Sequence, residues 1–176
     1  DGAGVPTLTR VANGVVGQDA DLYGKYNFDV EKANKLLDEA GYPRGEDGIR
    51  FTLGLEGPNG RYTMDSDVCQ AVASMLMENV GIQVDLQLYD STTYVNILSP
   101  REFRGAAMYC FGDNFFDGIY AIACYTPDFS MGETDYNNPR MNELYSSAMA
   151  NMNLEERVAQ IEDAQQIAAE EVPYSN

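Results

Sequence analysis

Residues 67–98 read DVCQAVASMLMENVGIQVDLQLYDSTTYVNIL and decide the fold. From about residue 65 to 79, apolar side chains recur at helical spacing, and Gly81 closes the helix. The recurring residues are Val68, Ala71, Val72, Met75, Leu76 and Met77. Residues 82–88 then alternate apolar and polar side chains, which is the period of a strand. Ser91–Leu98 predicts a short helix, so the stretch is a helix–strand–helix unit.

The same alternation of helix and strand continues towards the amino terminus. Asp29 predicts an N-cap, and Gly41 stops the helix that follows it. The alternating apolar residues of 49–55 predict a strand, and a turn cluster follows it at 57–60. Residues 1–28 are rich in Gly, Asp and Asn without clear periodicity, so we expect an irregular arm there.

The pattern towards the carboxyl terminus adds a third strand and more helices. A compact apolar run over residues 105–111 predicts a buried central strand. Residues 112–138 are rich in loops, with one short helix near 118–124. Two helices close the chain, the first opened by Asn138 and the second by Asn153. Strands joined by crossover helices predict an α/β fold with a mostly parallel mixed sheet flanked by helices.

The composition limits what this fold can do. The 176 residues include 28 Asp and Glu against 11 Lys and Arg. The formal net charge of -17 excludes nucleic acid as a partner, because its binders need a cationic face. The absence of histidine excludes a Ser/His/Asp triad and a Cys2His2 zinc site. No apolar run approaches the about 20 residues of a membrane span, so we expect no transmembrane segment.

The chain ends and the cysteines carry less information. Both ends look like cuts, since the chain starts at Asp1 and stops within what looks like a strand, so we expect an excised piece of a longer protein. Cys69, Cys110 and Cys124 lack a CxxC spacing, which favours small buried thiols over a disulfide framework or a metal site. A bridge between Cys110 and Cys124 stays open.

Two loops follow predicted strands at the edge where parallel sheets bind ligands, residues 56–62 and 112–117. Asp113 follows the third predicted strand, and its carboxylate suits either a ligand ammonium group or the capping of a turn. Arg61 lies in the other loop, and its planar guanidinium suits a carboxylate or is simply solvated. Together the two residues could bind the two ends of a zwitterion.

Other residues of the second loop allow more than one interpretation. An aromatic cluster lines a pocket or an interface, or is part of the core, and consists of Tyr109, Phe111, Phe115, Phe116, Tyr120 and Tyr125. Gly112 and Asn114 flank Asp113, and the glycine lets a ligand approach the backbone closely. Asp113 and Asp117 also fit the paired carboxylates of a glycosidase.

Five segments resemble family 5 extracellular solute-binding proteins, the peptide- and nickel-binding receptors of ABC importers. In chain order they are YNFDVEKANKLLDEAGYPRGEDGIRFTLGL (26–55), the segment already quoted (67–98), CFGDNFFD (110–117), YNNPRMNELYSSAM (136–149) and NLEERVAQIEDAQQIAAEEVP (153–173). They follow the family's order and cover nearly the whole chain. The resemblance implies a lobe of the periplasmic-binding-protein type II kind. Residues 1–28 would be an arm and 29–176 the carboxy-terminal lobe of a two-lobed receptor whose amino-terminal lobe is absent.

The resemblance also implies roles for single residues. Asp113 matches the aspartate that receives the amino terminus of a bound peptide, and Arg61 resembles the arginine that meets the carboxylate of dipeptides. Cys110 stands where the family usually has tryptophan, which moves any stacking role to Phe111 or Tyr109. The ligand-binding residues expected from the sequence are Asp113, Arg61, Tyr109, Phe111, Gly112 and Asn114.

The function implied by the resemblance is binding without catalysis, cofactor or metal. The receptor would capture short peptides or a related small solute outside the cytoplasm, in the periplasm or as a cell-surface lipoprotein, and deliver them to ABC permease subunits. Two alternatives from other classes remain open. One is the ligand-sensing domain of a transcription regulator that has borrowed the fold, and the other is a carboxylate-based hydrolase.

Overall fold

The structure is a computed structural model that describes residues 4–23, 28–98, 102–112, 114–127 and 136–173. The chain forms two compact units. The sheet unit comprises Phe28–Cys110, and the helical unit comprises Asp1–Asn27 together with Phe111–Asn176. The division into an arm at 1–28 and a lobe at 29–176 stays a prediction.

Within the described residues, the sheet unit contains three strands, β1 at Phe51–Asn59, β2 at Ile82–Asp90 and β3 at Ala106–Ala107. They are parallel and lie in the order β2–β1–β3, which confirms the predicted parallel α/β arrangement. β1 and β2 pair over their whole length, from Phe51 with Ile82 to Asn59 with Asp90. Their carboxyl ends therefore lie side by side, and the loops that follow them start at one edge of the sheet.

Three helices accompany the sheet, α1 at Val30–Glu39, α2 at Asp65–Val80 and α3 at Ser91–Leu98. All three agree with the sequence predictions. Asp29 caps α1, since its carboxylate accepts the N–H of Lys32 at 2.9 Å. Gly81 ends α2 with a φ of +71°, and a Cβ there would lie 2.5 Å from the carbonyl oxygen of Gly48. Only glycine fits this position.

The side chains of β1 and β2 alternate between an apolar and a polar face of the sheet. On the apolar face, a Cβ added to Gly57 would lie 2.5 Å from Sγ of Cys69 in α2, so helix and strand are in close contact. On the polar face, Glu56 is only 1% exposed and pairs with Arg104 at 2.6 Å. The apolar face is therefore the one that α2 covers.

The predicted turn at residues 57–60 is wrong, because β1 continues to Asn59 with β2 alongside it. Pro58 has no N–H to donate to a sheet. Its nitrogen faces the same side as the Glu56 carbonyl, which accepts the N–H of Met108 at 2.9 Å on the β3 side. The pairing with β2 therefore does not need the missing donor.

The predicted central strand over residues 105–111 is also wrong. Within the described residues, β3 has two half-buried residues and lies at the edge of the sheet, paired with β1. The next hydrogen bond between β1 and β3 would run from the N–H of residue 58 to the Met108 carbonyl. Pro58 has no N–H, so the pairing ends there. The hydroxyl of Tyr94 in α3 donates to that carbonyl instead. An apolar run indicates burial but does not fix strand pairing, which depends on the partner.

The described part of the helical unit contains a 3₁₀ turn at Ala20–Leu22 and three helices, α4 at Gly118–Ala123, α5 at Pro139–Ala150 and α6 at Leu154–Glu171. As predicted, Asn138 caps α5 and Asn153 caps α6, each through its side-chain oxygen. The core of the unit includes Val11 and Val15 from the amino-terminal segment. This segment lacks periodicity but still packs into a hydrophobic core.

All three cysteines are free, so no disulfide joins Cys110 and Cys124. Cys69 and Cys124 are buried as predicted, but Cys110 is exposed. The interpretation of Cys110 as a buried thiol is wrong because the strand expected to bury it ends at Ala107. Within the described ranges, no helix combines the length and the apolar character that crossing a membrane requires.

Candidate functional site

The carboxyl edge of the sheet unit carries the loop after β1 and the start of α3. Arg61 lies in this loop, two residues beyond Asn59, and Ser91 directly follows Asp90. Because Asn59 and Asp90 are paired, the residues after them are neighbours, and Arg61 Nη1 lies 3.4 Å from Ser91 Oγ. The structure thus places Arg61 at the edge where parallel sheets bind ligands.

The guanidinium of Arg61 is exposed and is held by neutral groups. Its Nε donates to the hydroxyl of Tyr62 at 3.0 Å, and its central carbon lies 5.3 Å from the centroid of that ring. No carboxylate of the described residues forms an ion pair with it. Four other arginines do pair with carboxylates, Arg50, Arg104, Arg140 and Arg157. The positive charge of Arg61 therefore stays available for an anion.

Asp65, the first residue of α2, holds the loop that carries Arg61. Its Oδ1 accepts the N–H of Gly60 at 3.1 Å and that of Ser66 at 2.8 Å. Its Oδ2 accepts the N–H of Arg61 at 2.8 Å and that of Tyr62 at 2.9 Å. Only 3% of Asp65 is exposed. The sequence interpretation missed this residue, although an Asp in the first turn of a helix after a glycine-containing loop is a signal for such bonds.

The same bonds set the charge state of Asp65. The N–H of Tyr62 makes the largest contribution to a pKa lowered to about 2, although desolvation acts in the opposite direction. The carboxyl group is therefore ionised at any pH near neutrality. Because its partners are backbone N–H groups, its charge is not used to neutralise the guanidinium of Arg61.

Three tyrosines lie near Arg61 within the sheet unit. The hydrogen bond to Tyr62 is the main reason for the raised pKa of Arg61, and the phenols of Tyr109 and Tyr94 add smaller contributions. Tyr94 is fully buried, which raises the pKa of its phenol, and its hydroxyl donates to the Met108 carbonyl. Tyr109 is half-buried and directly follows Met108. The phenol of Tyr109, which is also expected to bind ligand, thus adds to the raised pKa of Arg61.

Cys110 ends the sheet unit and is exposed. Partial desolvation of its thiol by neighbouring atoms, and then the charge of Asp65, raises the pKa of this thiol. The thiol is therefore protonated at neutral pH and is a weak nucleophile. It offers no aromatic surface in place of the tryptophan that the resemblance would lead one to expect.

The helical unit carries the second predicted loop. Phe111 is half-buried, with its ring centroid 5.2 Å from that of Tyr120 and 5.3 Å from the guanidinium carbon of Arg10. Gly112 and Asn114 are exposed. Among the described residues, a Cβ on Gly112 would meet only Asn114 Oδ1, at 3.7 Å, so the backbone there is open to close approach.

The two aspartates of this loop differ in what the structure describes. Asp113, expected to receive a ligand ammonium group, lies outside the described residues. Asp117 accepts the N–H of Ile119 at 3.1 Å and pairs with Arg157 at 2.9 Å. It caps α4 and connects this helix to α6. These bonds give Asp117 a structural role, whereas a glycosidase would need its carboxyl group free to face the substrate.

Solved structures of several binding proteins share this fold. The murein tripeptide binding protein MppA of Escherichia coli has 21% identity and a TM-score of 0.83, covering 99% of this chain and 34% of that one. OppA of Haemophilus influenzae, in complex with RPPGFSPFR, has 20% identity and a TM-score of 0.80, covering 98% and 34%. NikA of Staphylococcus aureus, in complex with Ni(L-His)2, has 25% identity and a TM-score of 0.72, covering 84% and 30%. The chain spans about a third of the length of these proteins.

The sequence itself also matches a family. No curated protein matches the chain. Residues 1–131, however, match the family described as Bacterial extracellular solute-binding proteins, family 5 Middle. This match covers well over half of the 176 residues and agrees with the parallel sheet and its helices. The chain therefore belongs to the bacterial extracellular solute-binding proteins, family 5.

Proposed function

We propose that this chain is part of the substrate-binding component of an ABC importer. The receptor captures short peptides, or a related small solute, outside the cytoplasm and delivers them to the permease subunits. The family match supports this proposal, as do the peptides named with MppA and OppA. The proposal includes binding without catalysis or cofactor, and a location in the periplasm or on the cell surface as a lipoprotein.

The observation that carries the proposal is the exposed guanidinium of Arg61. It lies at the carboxyl edge of the sheet and is held by the hydroxyls of Tyr62 and Ser91. The chain has 28 acidic side chains, yet none of the described ones pairs with it. A guanidinium binds a carboxylate through two parallel hydrogen bonds. The carboxyl terminus of a short peptide would supply such a group.

The other end of the ligand is assigned to Asp113. The resemblance of CFGDNFFD (110–117) to the family's ligand loop supports this assignment, and the open backbone at Gly112 agrees with it. Asn114, Phe111 and Tyr109 complete the proposed set of ligand-binding residues. Because Cys110 lacks a ring, the aromatic surface would come from Phe111 or Tyr109.

Calorimetry on the full-length receptor tests the role of Arg61. The ligands are a short peptide with a free carboxyl terminus and the same peptide as its carboxy-terminal amide. Arg61→Ala removes a charge-assisted interaction of about 1.5–3 kcal/mol, so the affinity for the free acid should fall by about ten- to a hundredfold. The amide has no carboxylate to lose and should bind nearly as before.

The matched control is Arg140→Ala, since Arg140 is also exposed but pairs with Glu143 at 2.8 Å. This variant should leave both affinities unchanged. An equal loss for acid and amide in Arg61→Ala would contradict the proposed carboxylate site. In the same series, indifference of the receptor to acetylation of the peptide's amino terminus would contradict the role of Asp113.

A further inference from the structure

The loop between β1 and α2 is organised around the single carboxylate of Asp65. Two of the four N–H groups that this carboxylate accepts belong to Arg61 and Tyr62, both on Oδ2. These are the two residues whose side chains form the guanidinium–phenol pair, with Nε 3.0 Å from the hydroxyl oxygen. One carboxylate oxygen therefore fixes the backbone of both members of the pair.

A helix cap alone does not explain this arrangement. A capping side chain accepts N–H groups from the first turn of its own helix. Only one of the four groups, that of Ser66, belongs to α2. The other three, from Gly60, Arg61 and Tyr62, precede the helix. Most of the bonds of Asp65 thus go to the loop and not to the helix.

The backbone of this loop also needs an external constraint. Gly60 has a φ of +89° and Met64 has a φ of +56°. Both lie in the left-handed region, which residues other than glycine rarely adopt. Met64 is 65% exposed and makes no capping hydrogen bond through its side chain. The bonds to the carboxylate of Asp65 supply such a constraint at each of residues 60–62.

We propose that Asp65 is a positioning residue, which orients the Arg61 guanidinium for the carboxylate of the ligand by binding the backbone of residues 60–62. The inference rests on the proposed function, because it assigns Asp65 a part in the same carboxylate site. The carboxylate of Asp65 does so without forming an ion pair with the guanidinium. Its removal therefore changes the geometry around Arg61 and does not free the guanidinium from a competing charge.

Asp65→Asn tests the inference because it keeps the size of the side chain. The amide has one acceptor oxygen, and its NH₂ group faces backbone donors, so at least two of the four bonds are lost. On the full-length receptor, we measure the ratio of affinities for a short peptide and for its carboxy-terminal amide. The ratio should fall by about fivefold, which is less than the about ten- to hundredfold loss expected when the guanidinium itself is removed.

Arg61→Ala and the double variant with Asp65→Asn complete the test. If Asp65 acts through Arg61, the ratio in the double variant should equal that in Arg61→Ala alone. The matched control is Asp29→Asn. In the wild-type chain the carboxylate of Asp29 accepts the N–H of Lys32 in α1, so this variant should leave the ratio unchanged. If Asp65 were purely structural, Asp65→Asn would lower the folding stability but leave the ratio of affinities unchanged. That result would overturn the inference.

The two proposals fail in different ways. If Arg61→Ala lowers the ratio but Asp65→Asn does not, the positioning role is wrong and the carboxylate site stands. If Arg61→Ala leaves the ratio unchanged, the carboxylate site itself is wrong. Should Asp65→Asn fail to fold, Asp65→Ser retains one acceptor oxygen and allows the same comparison.

Discussion

At the scale of single residues, the carboxyl edge of the sheet depends on what each polar group is bonded to. The guanidinium of Arg61 is held by hydroxyls and forms no ion pair with a described carboxylate, whereas the carboxylate of Asp65 accepts backbone N–H groups. Tyr94 donates to the Met108 carbonyl, which Pro58 on the neighbouring strand cannot reach with an N–H. The neighbouring groups thus decide which hydrogen bonds each of these side chains forms.

The role of Tyr94 leads to a prediction about stability. Tyr94→Phe keeps the buried ring but leaves the Met108 carbonyl without its donor, so the free energy of unfolding should fall by about 1–3 kcal/mol. Urea unfolding followed by circular dichroism measures this loss. The control is Tyr42→Phe, because Tyr42 is exposed, its ring keeps the contact with Phe51, and its hydroxyl forms no hydrogen bond with the described residues. Equal stability of the two variants would show that the Tyr94 hydroxyl contributes nothing.

At the scale of elements, the order of helices and strands follows from local signals. α1, α2, α3 and the two closing helices begin and end close to the predicted positions, because caps and apolar periodicity are encoded within a few residues. The partner of a strand is not encoded in this way. β1 continues through the predicted turn because β2 pairs with it up to Asn59. β3 is shorter than predicted because Pro58 has no N–H to continue the pairing between β1 and β3.

The junction between α2 and β2 gives a second prediction, based on two glycines with positive φ. Gly81 has a φ of +71°, and a Cβ there would lie 2.5 Å from the carbonyl oxygen of Gly48. Gly41 has a φ of +89°, but a Cβ there would meet no atom of a described residue within 4 Å. Gly41→Ala should therefore lose only the about 1–2 kcal/mol of left-handed strain. Gly81→Ala should lose more, because the backbone must also move.

Thermal and urea unfolding of the two alanine variants compare these costs directly. Equal losses would mean that the contact with Gly48 is relieved at no cost. A smaller loss in Gly81→Ala than in Gly41→Ala would contradict the close packing of this junction. The comparison needs no ligand, so it can be made on the chain as it stands.

At the scale of the whole molecule, stability depends on pH because several carboxyl groups have a lower pKa in the folded chain than in the unfolded chain. The pKa of Asp65 is lowered to about 2, chiefly by the N–H of Tyr62. The pKa of Asp90 is lowered chiefly by the side chain of Thr93, and that of Glu171 chiefly by Tyr136. A carboxyl group whose pKa is lower in the folded chain binds protons more readily when unfolded. These groups therefore stabilise the fold above their unfolded pKa, and the stabilisation is lost on acidification.

The predicted pH dependence for Asp65 has a defined range. The contribution should be complete above an unfolded pKa of about 4 and should disappear as the pH falls towards 2. Urea unfolding at several pH values, for the wild-type chain and for Asp65→Asn, isolates this contribution from those of Asp90 and Glu171. The wild type should lose its advantage over the variant between pH 4 and 2. A constant difference over this range would contradict the lowered pKa.

The sequence by itself determined the helix boundaries, the parallel α/β character and Arg61 as a candidate for binding a carboxylate. Caps, periodicity and the position of a residue after a strand are local properties, so a single sequence contains them. Only the tertiary structure decided the length of β3, the exposure of Cys110 and the bonds of Asp65 to its loop. Strand pairing and burial join residues far apart in sequence, and the bonds of Asp65 depend on backbone angles that the loop adopts only once β1 and α2 are in place.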